Sequence, residues 1–292
     1  MNGRTTGAGH ARRVVDCAAE AGRVVRICRG LLAGLEIAAL LMISVSAMAQ
    51  VLGTAANFAV LSATPNAANS GASVISGSVG VWSAAATTGF PPGTIVAGTG
   101  LFHYRDDSAR VAESDAAAGY QALARLSSIP VAPELGGLTL LPGVYAAGAA
   151  ALTGTLTLDG PGLYVFRAAS LTTASGPGAS VVRLINGATP CDVWWQVDGP
   201  VALGSYSAMH GNILALRNIT LGMGATLEGR ALALNGTVTL DTNTVTACSG
   251  GTSAADLGFL VPPLMPIPTL SEWAMIMLAT LLGIAGLTAL RR

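Results

Sequence analysis

The sequence predicts a mostly β protein, with a coiled solenoid favoured over a sandwich, and one helix inserted among its strands. Three features carry this. Short apolar or Thr-rich runs alternate with Gly-containing corners from Asn57 to Leu240, and such runs between turn formers read as strands. The residues at and between the corners are small, with steps of roughly six to eight residues, which favours coils stacking Val, Leu and Ile inward. A sandwich would show a cleaner alternation of buried and wet positions. Finally, the segment from Asp106 to Leu126 breaks the pattern: it is Ala-rich and lacks Pro.

Taken in order, the strand candidates begin with Asn57 to Leu61, Ser73 to Gly77, and Leu138 to Leu141 before Pro142-Gly143. Thr155 to Gly160 and Gly162 to Phe166 follow, then Val181 to Ile185, Val193 to Val197, Asn212 to Leu216, Thr226 to Leu234 and Thr237 to Leu240. In the helical segment, Asp106 and Asp107 stand where an N-terminus favours carboxylates. Val111, Ala118, Ala122 and Leu126 give the apolar spacing, while Arg110, Glu113 and Asp115 leave the other side wet.

Both ends differ from the body. Six Arg between Arg4 and Arg29 precede LLAGLEIAALLMISVSAMAQ. That is a basic segment, an apolar core and a small-x-small site at Ala47-Met48-Ala49, the pattern of a Sec-type export signal over residues 1–49. At the other end no charge falls between Trp273 and Leu290, and Arg291-Arg292 follow. This is long enough to span a bilayer and leaves the body, residues 50–265, outside.

Charge and cysteine usage narrow the function. The chain has no Lys, and the body carries seven Arg against eleven Asp or Glu. A nucleic-acid partner needs clustered cations, so this class is excluded. Cys17 and Cys28 leave with the signal, which keeps Cys191 and Cys248 in the body. In an oxidising compartment the pair reads as one disulfide, with two separate buried thiols as the alternative. A metal site is not expected, because no CxxC or HxxH spacing accompanies the pair.

The body resembles the ice-binding-like domain family of cold-adapted microbes. The matching residues are LGTAANFAVL from Leu52, ISGSVGV from Ile75, TGFPPG from Thr88, PGVY from Pro142 and CDVWWQV from Cys191. The densest stretch is GNILA from Gly211, ITL from Ile219 and GATLEGRA from Gly224, closed by NGTVTL from Asn235. The resemblance implies an all-β fold: a right-handed β-helix of triangular section, with the long α-helix packed alongside and the first and last coils adjacent. The tail over residues 266–292 resembles the C-terminal sorting signals of Gram-negative bacteria that carry Ile267-Pro268-Thr269-Leu270. That implies recognition by the export machinery and a membrane sorting protease, a membrane-anchored intermediate, and a final place at the cell surface or outside the cell.

The body offers little chemistry. His103 beside Asp106 and Asp107 is a possible base–carboxylate pair, but a solvated turn before the helix is the simpler reading. His210 sits at a corner. Trp194 and Trp195 are strand neighbours and face opposite ways, one into the core and one toward a coil edge or the helix. Asp159, Asp192, Asp198, Glu228 and Asp241 are scattered, which argues against a polysaccharide-cleaving groove. No enzyme activity, cofactor or metal is expected. What the resemblance implies is contact with ice or ordered water through a flat Thr/Ser-rich face. The candidate residues are Thr153, Thr155, Thr172, Ser205, Ser207, Thr226, Thr242 and Thr244. The competing class is adhesion or a matrix-associated structural role, with surface glycans or other cells as partners.

Overall fold

The computed structural model describes residues 51–63, 67–83 and 87–248. The export signal, the tail with its apolar span, Cys17 and Cys28 lie outside the described residues. Among those described, 19 strands form one continuous sheet whose pairings are all parallel.

The sheet curls because each coil contributes to three successive stacks. The first stack runs through Ile129–Pro130, the opening halves of Gly143–Leu152 and Tyr164–Thr173, and Val193–Val197. It continues with the closing halves of Ala208–Ala215 and Thr226–Ala233, then Phe58–Ser62, Ser78–Val81 and Phe102–Tyr104. The second stack holds the closing halves of Gly143–Leu152 and Tyr164–Thr173, then Val201–Leu203, Ile219–Leu221, Val238–Leu240 and Ala67–Asn69. The third holds Thr139–Leu140, Gly154–Asp159, Ser180–Ile185 and the opening halves of Ala208–Ala215 and Thr226–Ala233. It ends with Thr244–Thr246, Val74–Ser76 and Thr94–Ile95.

This order places the N-terminal coils on top of the last one: Val60, Leu61 and Ser62 pair with Ala231, Leu232 and Ala233. The chain must therefore travel from one end of the stack to the other before winding back. Helix α1, Asp107–Ala124, covers most of that distance; 18 residues give about 27 Å at 1.5 Å per residue. Asp106 caps it, accepting from the Ala109 amide at 2.8 Å. The same carboxylate takes a 2.7 Å contact from His103 Nδ1. Burial works against the ionised form, yet the Ala109 and His103 contacts hold this carboxyl below its usual range.

The helix lies in another rotational phase than its sequence suggests. Ala109, Ala112, Ala116, Gly119, Tyr120 and Leu123 are buried, whereas Val111 is half-exposed and Ala118 exposed. An Ala-rich helix has apolar residues on every side, and the sheet takes the side that joins three alanines and Gly119 to Tyr120 and Leu123. A Cβ at Gly119 would stand 2.4 Å from the Val51 carbonyl oxygen. Against this face pack Leu61, Val165, Trp194, Leu214 and Leu232, the outward residues of the first stack.

Inside the coils the inward residues form ladders. Trp195 is fully buried and stacks on Phe166 at 4.4 Å, which stacks on Tyr145 at 5.6 Å. Val201, Ile219 and Val238 continue the core on the second side, and Met209, Leu227, Val245 and Ile75 on the third. The expected opposition of Trp194 and Trp195 is therefore present: one meets the helix, the other the core.

The C-terminal end of the solenoid is pinned twice. Cys191 and Cys248 form a disulfide with a Cα–Cα distance of 5.6 Å, joining positions 57 apart in sequence. Beside it Arg230 is buried and donates to the Ala56 carbonyl at 2.7 Å, the Cys248 carbonyl at 2.8 Å and Asn212 Oδ1 at 2.8 Å. These three acceptors belong to the first coil, the C-terminal exit and the preceding coil.

Candidate functional site

The three stacks present three surfaces, and they differ in what they expose. The first is covered by α1. The second and third remain open to solvent and are the places where a flat contact surface exists.

On the second surface, strand register sets Ala151, Thr172, Ala202, Thr220, Thr239, Ala68 and Thr88 in one outward row. These short strands alternate buried, outward, buried, as in Val201–Leu203 and Ile219–Leu221. Two residues earlier on each coil runs a second row, begun by Ala149 and Ser170. It continues through Pro200, Asn218 and Thr237, whose carbonyls accept from Leu171, Val201 and Ile219. Parallel strands about 4.8 Å apart, with outward residues about 6.6 Å apart along each, make a regular grid. Among the described residues no charged side chain lies in the first row between Ala151 and Thr88, or in the second between Ala149 and Thr237. The row ends at Glu134, whose carboxylate folds back onto the Gly136 and Thr153 amides at 2.8 Å each.

The third surface also has two rows. Thr155, Val181, Ala208, Thr226, Thr244, Val74 and Thr94 stand side by side. The companion row holds Thr157 beside Arg183, and His210 beside Glu228, Thr246 and Ser76. His210 Nδ1 lies 3.2 Å from Glu228 Oε2. Burial lowers the His210 pKa and outweighs the opposing pull of Glu228.

The eight sequence-derived candidates are therefore not one face. Thr155, Thr226 and Thr244 share the third surface, and Thr172 lies on the second. Thr153, Ser205 and Thr242 occupy the corner between the two. There the chain turns with left-handed backbone at Tyr206, Gly224 and Thr242, φ 60°, 70° and 55°. Ser207 is a correction: it is 1% exposed. It precedes Ala208 and so falls in the inward corner column with Ser180, Ala225, Asn243 and Ser73, all buried. Two of its members satisfy turn backbone: Ser180 Oγ donates to the Leu152 carbonyl at 2.7 Å, and Asn243 Nδ2 to the Gly222 and Ala225 carbonyls at 2.7 and 3.1 Å.

Thr220, Thr239, Thr88 and the alanines between them were missed from sequence. A signal existed: Val201-Ala202-Leu203, Ile219-Thr220-Leu221 and Val238-Thr239-Leu240 repeat an apolar, small, apolar triplet. On chemistry, the carboxylate beside His103 is the helix cap, which absorbs the pair into structure. Among the described residues no group of three or more His, Cys, Asp or Glu is placed to hold a metal.

A sequence model described as Ice-binding-like matches residues 60–246. The chain belongs to the ice-binding-like family. This family comprises ice-binding proteins without enzymatic activity. A second match, to the IPTL-CTERM motif, covers residues 265–292. An ice-binding protein of Nostoc sp. (strain HG1) is 44% identical over 215 residues, 70% of this chain and 76% of that protein. The ice-binding protein of the Antarctic ascomycete Antarctomyces psychrotrophicus has a similar crystal structure, with TM-score 0.63 and 39% identity. That likeness covers 68% of this chain and 98% of the other. A domain of ice-binding protein 1 of Shewanella frigidimarina aligns with TM-score 0.62 and 31% identity, over 69% and 98% of the two chains. The fold shared with these ice-binding-like structures is the curled parallel solenoid with one helix.

Proposed function

We propose that this protein binds ice through the second surface, the grid running from Ala151 to Thr88. The observation that carries the reading is the absence of charge across two rows of small outward residues. An ionised side chain keeps its own hydration shell, and pressing it against an ordered lattice strips that shell without replacement. Thr and Ala do the opposite. Their methyls release water from apolar surface on contact, and the Thr hydroxyls hydrogen-bond to the bound layer. Thr is restricted at χ1 and the strands beneath are locked in register, so little side-chain entropy remains to be lost on adsorption.

The test is recrystallisation inhibition by the Thr220→Arg variant. Thr220 is exposed, so the substitution changes stability by no more than about 0.5 kcal/mol. Loss of inhibition with an unchanged circular dichroism spectrum is expected. Full inhibition by this variant would remove the second surface from the mechanism, and an inactive wild type would favour adhesion to glycans or other cells.

The remaining architecture follows from the same reading. The coils wind right-handed, as parallel crossovers do in nearly all proteins, around a triangular section. Residues 1–49 direct export, and the tail over residues 266–292 spans the inner membrane until a sorting protease removes it. The body is then left at the cell surface or released. Cell fractionation that found the body retained in the cytoplasm would overturn this placement.

A further inference from the structure

We propose that the third surface is a second ice-contact face, engaging a crystal plane different from that met by the first. This rests on the ice-binding reading above and extends it to a surface with different chemistry. Six of the seven residues in the row from Thr155 to Thr94 are β-branched, with Ala208 the exception. A β-branched residue on a strand is restricted at χ1, so the row is a rigid line of methyls and hydroxyls at strand spacing. One member of the row and one residue just beyond it are aliphatic and open: Val74 is 42% exposed and Val96, two residues after Thr94, 38%. Aliphatic side chains left open together at one end of a regular face mark a surface that meets something.

The charges mark the limit of the face. Arg183, His210 and Glu228 stand in the companion row, on the side away from the corner shared with the second surface. Toward the end of the stack that holds Val74 and Thr94, the companion positions are Thr246 and Ser76. Here both rows are uncharged, and the patch centred on Thr244 and Val74 is the part of the face expected to touch ice. The left-handed turn at Tyr206, Gly224 and Thr242 separates the two surfaces. Because the chain turns there, they cannot lie on one flat plane together, and each must select its own.

The experiment labels the protein with a fluorophore and lets it adsorb to a single-crystal ice hemisphere, alongside Thr220→Arg and Thr244→Arg. Wild type is expected to mark two sets of planes. Thr244→Arg is expected to lose one set and keep the set that Thr220→Arg loses, with circular dichroism showing all three folded. The proposal is overturned if Thr244→Arg reproduces the wild-type pattern, or if Thr220→Arg alone leaves the crystal unmarked. Failure of wild type to mark any plane would instead overturn the ice-binding reading itself, and this inference with it.

Discussion

Arg230 shows how one side chain can hold a solenoid closed. Its carbonyl and amide acceptors are neutral groups from three coils, and burial pushes its pKa down to about 10. The guanidinium is kept because the Ala56 and Cys248 carbonyls and Asn212 Oδ1 would otherwise be buried without this donor. A buried acceptor left unmet costs about 1–3 kcal/mol, partly offset by no longer desolvating a cation. Arg230→Met is therefore expected to lower stability by about 2–4 kcal/mol, read as a shift in the urea midpoint. Glu113 is the opposite case. Burial raises its pKa to about 7, against a hydrogen bond from the Trp82 backbone that pulls the other way. Its unfolded counterpart ionises near 4.5, so between those values the unfolded state releases its proton first and stability falls as pH rises. Glu113→Gln removes the titration. The variant should gain melting temperature over wild type at pH 8 and show little gain at pH 4; an equal gain at both would contradict the assignment.

Helix α1 illustrates what pattern alone can and cannot yield. Its existence and its acidic N-terminal end at Asp106 and Asp107 were legible, because carboxylates opening an Ala-rich stretch without Pro have few other readings. Its phase was not. Val111 looked like core and is half-exposed, while Leu126 does pack, partly buried, against the cluster under the helix; the buried side is the one where Gly119 meets the Val51 carbonyl. That contact decides the sign of a substitution. Ala in place of Gly in a helix ordinarily gains about 1 kcal/mol, but a Cβ at 2.4 Å from a backbone oxygen forces a shift that costs about 1–3 kcal/mol. Gly119→Ala is thus expected to lower the melting temperature. At the far junction, replacing Cys191 and Cys248 by Ser should cost about 4 kcal/mol on the chain-entropy account. Calorimetry of the double variant beside wild type checks it, and an unchanged transition would mean the reduced chain is already restrained there.

At the scale of the whole molecule, the solenoid was readable and the grouping of its outward rows was not. Trp195, Ile213 and Ala231 pair in register, as do Ala208, Thr226 and Thr244, at a constant interval of 18 residues. This interval is present in the sequence, but it covers only the last three coils and is lost where the N-terminal coils stack on them out of chain order. Residues such as Ala68 and Thr239 are neighbours only because the helix carries the chain around. No local pattern announces that pairing, so Thr residues near corners were grouped by composition when register assigns them to different sides. Ser207 failed for a related reason: at a corner, one step along the chain separates the surface from a buried polar column. Partitioning of the purified exported protein between growing ice and liquid tests the central claim most directly. Wild type should concentrate in the ice while the Thr220→Arg/Thr244→Arg double variant, equally folded, is left in the liquid. Exclusion of wild type from ice to the same extent as an inert folded protein would contradict the account.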